Sequence, residues 1–90
     1  MRLIFPCEDK TSIRASADGT VTQVVSGYTG YGKYIILDHG NGYTTLYAHN
    51  SELDVAVGDE VERGQVIAKA GRTGWATGYG LGFEIRYDGD

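Results

Sequence analysis

Ninety residues make one small domain; a chain of this size buries only about 60–65% of the surface it exposes when unfolded, which leaves room for a single core. Eight Lys and Arg stand against twelve Asp and Glu, a formal net charge of −4. The basic face of a nucleic-acid binder and the basic run that docks on an anionic membrane are both missing from the sequence, and a hydrophobic content of 41% excludes a disordered chain.

Fourteen glycines, about twice the usual ~7%, point with one proline and seven tyrosines to a turn-dense β protein. The lone Cys7 cannot close an intrachain disulfide. The apolar stretch Leu3 to Phe5 is far shorter than a signal-peptide core of ~7–15 residues. No segment approaches the ~20 apolar residues of a membrane span. The chain is therefore expected to be soluble.

In chain order, Ile13-Arg14-Ala15 leads to a turn at Ala17-Asp18-Gly19, and Thr20 to Val25 reads as a strand. Ser26 to Gly32 holds three glycines and two tyrosines and reads as a loop. Lys33 to Asp38 and Tyr43 to Ala48 are two strands, the second closed by His49, and they flank His39-Gly40-Asn41-Gly42. Asn-Gly in that position is the strongest short hairpin signal. Asn50-Ser51-Glu52 is polar. Val55 to Ala68 sets short valine-rich pieces between turns at Gly58 and Gly64, and Gly71 to Gly78 is a glycine-threonine loop carrying Trp75. From Gly80 to Tyr87 the alternation is strict: Leu81, Phe83, Ile85 and Tyr87 are expected on the core, and Gly80, Gly82, Glu84 and Arg86 on the other face. No helix longer than one turn is expected.

Four segments carry a family resemblance: Ile13 to Val21, Gly30 to His49, Val57 to Ile67, and Thr73 to Gly78 followed by Phe83-Glu84-Ile85-Arg86. In this order and spacing, over about Ile13 to Tyr87, the chain resembles the β domain of the lysostaphin/LytM-type zinc endopeptidases, which cut peptide cross-bridges in bacterial cell walls. The long hairpin segment is highly specific; Val57 to Ile67 is shared with biotinyl and lipoyl carrier domains. The resemblance implies an all-β fold, a small and mainly antiparallel half-open barrel or sandwich of the duplicated-hybrid-motif type. It implies one domain over residues 1–90. It also implies an extracytoplasmic setting, although the chain shows no signal peptide.

Such enzymes carry an early His-x-x-x-Asp motif, with two zinc ligands, and a late His-x-His before the Phe-Glu-Val-Arg-like strand. The second His of the late motif is the third ligand. Its first His assists catalysis together with the His of a Tyr-x-His motif. Catalytic zinc takes about three protein ligands and an open water position, and lowers the pKa of that water. Here the late motif reads Gly80-Leu81-Gly82. Counting back from Ile13, the early Asp falls near Ile4 and its His before Met1. Only Tyr47-Ala48-His49 persists. The resemblance therefore argues for the fold and against the activity: no metal site, no resident cofactor, and a vestigial catalytic His49.

His49 has an ordinary alternative as a hydrogen-bonded strand-end histidine, and His39 reads as turn chemistry. No ligand spacing links His39, His49, Cys7, Asp38 and Glu84. Cys7 reads as a small apolar filler. Gly80 and Gly82 leave a bare stretch of strand that gives room for a partner backbone, or mark simple loss, natural or engineered. Tyr28, Tyr31, Trp75 and Tyr79 lie in glycine loops that flank the substrate cleft in the family.

The expected function is a non-catalytic binding or regulatory module for a protein partner or a cell-wall peptide, or a fold-only engineered scaffold. Its cleft is expected to comprise Tyr47, His49, Trp75, Tyr79, Gly80 and Gly82. An active zinc endopeptidase is the alternative, and a biotinyl/lipoyl carrier is disfavoured because the hairpin tip holds no lysine. Arg2 to Phe5 is expected to stand in for the missing first strand. An exposed sheet edge there invites pairing, so a homodimer is a further expected partner arrangement. Neither nucleic acid nor membrane is expected as a partner.

Overall fold

The computed structural model describes residues 2–27, 30–71 and 80–88, with the backbone alone at 2–6. Eight strands follow one another: β1 (Arg2–Pro6), β2 (Ser12–Arg14), β3 (Gly19–Ser26), β4 (Lys33–Gly40), β5 (Tyr43–Leu53), β6 (Glu60–Val61), β7 (Val66–Ala70) and β8 (Gly80–Tyr87). Their pairings are antiparallel. The sheet runs β1-β8-β5-β4-β3-β6, with β7 joining β5 and β2 beside that path. This is the expected all-β half-barrel. Among the described residues no helix is long and apolar enough to cross a membrane.

The turn chemistry sets the central hairpin. Asn41 and Gly42 take φ values of 55° and 84°. Two successive positive φ angles make the turn whose twist matches that of the strands it joins. Gly40 pairs directly with Tyr43, so the loop is two residues long. His39, expected in the turn, belongs instead to β4. The register shifts between Asp38 and Gly40, so His39 occupies a bulge.

Alternating apolar residues of the hairpin and its neighbours then meet in one core. Val21, Ile35, Leu37, Tyr47, Ile67 and Ala68 are all buried there. Burying each large aliphatic among them contributes roughly 1.5–3 kcal/mol. Cys7 packs against this cluster, as a small filler would.

The strand from Tyr43 does not end at His49 as expected. It runs on through Asn50-Ser51-Glu52 to Leu53. β4 lies along one edge of β5 as far as Asn50. Two strands share the other edge in succession: β8 pairs with Tyr43 to Ala48, and β7 with Asn50 to Leu53. The change of partner falls at His49, which has a left-handed φ of 65°. The polarity of this segment hid the strand because residues at such a junction serve backbone pairing more than apolar burial.

β8 departs from its expected alternation. Leu81 and Phe83 pack on the core, but Ile85 is 38% and Tyr87 53% exposed. The core underlies only the first part of the strand. Beyond it Tyr87 packs on the exposed Tyr43 of β5, with ring centroids 4.8 Å apart. On the opposite face Gly82 and Glu84 are buried, against expectation. β1 forms where Arg2 to Phe5 were expected to supply a strand, and it pairs with β8.

A polar chain ties the hairpin to the loop after β2. The Ser16 backbone N–H donates to the Tyr47 hydroxyl at 3.0 Å. That hydroxyl lies 2.8 Å from Thr45 Oγ1, which lies 2.6 Å from His39 Nε2. His39 Nδ1 faces the Asp18 carbonyl at 2.7 Å. A carbonyl only accepts, so Nδ1 carries a proton.

Tyr47→Phe removes the central hydroxyl while keeping the ring, and is expected to lower stability by about 1–2 kcal/mol in urea unfolding. A neutral result would mean that water replaces the hydroxyl. Gly42→Ala is expected to cost at least about 1 kcal/mol by the same measurement, because φ there is positive and a Cβ would meet the Asp88 carboxylate.

Candidate functional site

The pairing of β1, β8 and β5 places the candidate positions side by side. Ile4 is opposite Gly82, and Gly82 is opposite Ala48, next to His49. Pro6 fixes the hydrogen-bond phase of the first ladder. It is paired with Gly80 but has no N–H to donate, so that pair is of the non-hydrogen-bonded kind. The two kinds alternate along an antiparallel ladder. Leu3 and Phe5 therefore exchange bonds with β8, and Ile4↔Gly82 is another non-hydrogen-bonded pair. In such pairs the Cα atoms approach to about 4.5 Å and side chains lie closest. Two ligand positions inferred from the family pattern thus face each other at the spacing where a shared ion would be held. One is isoleucine and the other has no side chain.

His49 occupies the space beside this pair. A Cβ built on Gly82 would lie 2.7 Å from His49 Cδ2 and 3.3 Å from Nε2. The half-buried imidazole therefore covers the bare Cα, and only glycine permits the contact. The left-handed backbone at His49 presents the ring this way, and its N–H is held by the Tyr31 carbonyl at 2.8 Å. Gly82 is accordingly buried rather than open to a partner backbone.

The same face of β8 continues into a charged cluster that sequence reasoning did not assemble. Glu84 is only 8% exposed. Arg86 donates to its Oε1 from Nε at 3.2 Å and from Nη2 at 3.0 Å. Nη2 also donates to the Tyr31 hydroxyl at 3.0 Å. The hydrogen bond to Glu84 raises the Arg86 pKa above its ordinary value, partly offset by burial. Stability from a raised arginine pKa is present at every pH below the ordinary arginine range and is lost only above it. The clamp therefore stays charged through neutral pH. Tyr31 is held by its carbonyl to His49, by its hydroxyl to Arg86, and edge-on to Tyr34 with centroids 5.5 Å apart. The legible signal was the Glu-x-Arg spacing, which puts both side chains on one strand face; nothing local pointed to Tyr31 as their partner.

Tyr47, expected in the cleft, is 1% exposed and sits in the core with its ring against Phe83. In a regular strand positions 47 and 49 would share a face; the left-handed residue at 49 breaks that alternation. Gly80 begins β8 opposite Pro6. Trp75, Tyr79 and Tyr28 lie outside the described residues.

The donors present do not fit a catalytic zinc. No group of three or more His, Cys, Asp or Glu able to hold a metal occurs among the described residues. The rest of the sequence adds only Asp90 of those residue types. His49 is the one imidazole beside Gly82; His39 is engaged by Asp18 and Thr45.

Comparison with known proteins agrees with this frame. A model of Peptidase family M23 matches residues 3–90, reaching upstream of Ile13. Murein hydrolase activator NlpD of Escherichia coli (strain K12) is 44% identical over 78 residues, covering 87% of this chain and 20% of that protein. DD-carboxypeptidase/endopeptidase Mpg of Neisseria meningitidis serogroup B is 44% identical over 79 residues, covering 88% of this chain and 18% of that protein. The crystal structure of the catalytic domain of the prophage-encoded M23 protein EnpA from Enterococcus faecalis matches with a TM-score of 0.92 at 29% identity, over 96% of this chain and 66% of that one. The chain spans about a fifth of the length of these curated relatives.

The seat of His49 on Gly82 makes a direct prediction. Gly82→Ala forces the imidazole aside, with an expected loss of about 1–3 kcal/mol and a displacement of the His49 ring resonances in a 1H–13C NMR spectrum. Unchanged His49 resonances in a folded Gly82→Ala protein would show that the ring does not rest there.

Proposed function

The chain belongs to Peptidase family M23, and we propose that this domain is a non-catalytic binding and regulatory module. One observation carries the reading: the facing positions Ile4 and Gly82 offer no donor, and the surviving imidazole rests against the second of them. A hydrolytic zinc needs about three ligands and an open position. Here the corresponding space supports packing instead. The cleft face keeps groups suited to recognition: the half-buried His49, the Tyr31 and Tyr34 rings, and the Arg86 guanidinium, with Trp75 and Tyr79 as proposed flanks.

The partner class proposed is a murein hydrolase or a cell-wall peptide. One relative carries the name of a murein hydrolase activator, which fits a domain that has kept the frame and not the donors. The second reading, an active zinc endopeptidase, is favoured by the persistence of His49 and by a relative named as an endopeptidase. It requires a donor set that the residues around His49 do not supply.

Calorimetric zinc titration and incubation with a glycine-rich bridge peptide separate the two. The expected result is neither sub-micromolar zinc binding nor cleavage. Adding the chain to a murein hydrolase is expected to raise murein release, and Tyr31→Ala to weaken that effect about tenfold, the loss typical of an aromatic interface anchor. Stoichiometric tight zinc binding together with peptide cleavage would overturn the proposal.

A further inference from the structure

Among the described residues the sheet has three end strands, β1, β6 and, on the branch through β7, the three-residue β2 with its exposed Ser12 and Arg14. They are unequal. β6 is two residues long, and Asp59, Glu60 and Glu62 around it are exposed, so two copies of this edge repel. β1 is five residues long and carries the run Leu3-Ile4-Phe5 with one charged residue, Arg2. Its outer edge has no partner strand among the described residues. Edges this long and apolar, without an inward charge or bulge, are the ones that pair.

The phase set by Pro6 determines what that edge presents. Leu3 and Phe5 direct their N–H and C=O groups to β8. Arg2 and Ile4 therefore direct theirs outward, and Pro6 presents a carbonyl with no N–H. This pattern is self-complementary in one register. If two copies meet antiparallel with Leu3 opposite Leu3 on the two-fold axis, Arg2 of each copy faces Ile4 of the other. Every outward N–H then meets an outward C=O, and the missing donor of Pro6 falls outside the paired stretch. Centring the axis on Ile4 instead sets the Arg2 carbonyl against the ring nitrogen of Pro6, where no bond forms. The two arginines are also kept apart in the first register, each facing an isoleucine.

We propose that β1 is a self-association edge: two copies of the chain pair their β1 strands antiparallel about Leu3, joining the two sheets into one. The interface is isologous, the same patch on both subunits, and uses the outward backbone groups of Ile4, whose inner neighbour is Gly82. The proposal rests on the ladder and on Pro6 and stands whether or not the cleft is catalytic.

Light scattering behind size exclusion, run over a concentration series, reads it directly. The mass is expected to rise from 9.7 kDa toward twice that value with concentration. Ile4→Pro removes one outward N–H and leaves the inner ladder its donors, and is expected to hold the chain at the monomer mass with an unchanged circular dichroism spectrum. Arg2→Pro tests the other outward donor, should Ile4→Pro not fold. In a mixed sample of labelled and unlabelled chain, an isotope-filtered NOE between the Leu3 Hα protons of two copies is expected, because Hα atoms face each other in a non-hydrogen-bonded pair. A monomer at every concentration would overturn the proposal. So would a dimer indifferent to both proline variants, or slowed exchange of the Ile4 amide only when a different protein is added, which would assign the edge to that protein. Oligomeric mass is read on the unaltered chain independently of zinc binding and peptide cleavage, so failure of this proposal and failure of the non-catalytic reading are distinguishable.

Discussion

One backbone angle organises the domain. His49 adopts a left-handed conformation in the middle of the longest strand, where side-chain crowding disfavours most residues but glycine, and asparagine, aspartate and histidine less so. A non-glycine residue held there costs of order 1 kcal/mol or more and persists only where its surroundings over-determine it. Three contacts do so: pairing of Ala48 with Gly82 on one side, pairing of Asn50 with Ala70 on the other, and the bond from the His49 N–H to the Tyr31 carbonyl. The bend lets one strand serve β8 and then β7. It opens the sheet between those two strands, and the opening is where the candidate site lies.

In that opening, packing stands where coordination is expected of an active relative. A metal brings neighbouring strands together by drawing donors toward one point. Without donors, cohesion must come from contact and hydrogen bonding. The imidazole packs against the bare Cα of Gly82 beside that junction, and the Glu84–Arg86–Tyr31 cluster continues away from it along the same face of β8, where the strand is paired with β5. The buried Glu84 is met by the guanidinium through two nitrogens; an unpaired carboxylate so placed would be strongly destabilising. The cleft face is consequently a set of fixed groups rather than an empty socket.

Much of the frame was legible because its signals are local. Asn41-Gly42 announces its turn by residue type alone, and the valine and isoleucine runs announce β3 and β4 by period. What stayed hidden depends on non-local facts. Histidine tolerates a left-handed bend better than most residues but does not announce one, so the continuation of β5 through Asn50-Ser51-Glu52 read only as a polar segment. The covering of Gly82 by His49 and the engagement of Arg86 by Tyr31 are contacts between residues far apart in sequence, which no local pattern announces. The exposure of Ile85 and Tyr87 depends on where the core stops, which alternation cannot say. The loss of donors at positions 4 and 82 was visible as a spacing argument, but that the two positions face each other required the ladder.

The line of oxygens and nitrogens from Ser16 to Asp18 has a property of its own. His39 Nδ1 is committed to a carbonyl, whereas Nε2 meets a hydroxyl that can give or take. Both strands of the hairpin are thereby tied to the one loop between β2 and β3, His39 of β4 by the Asp18 carbonyl and Tyr47 of β5 by the Ser16 N–H. A change in that loop therefore reaches both strands at once, although neither is its neighbour in sequence.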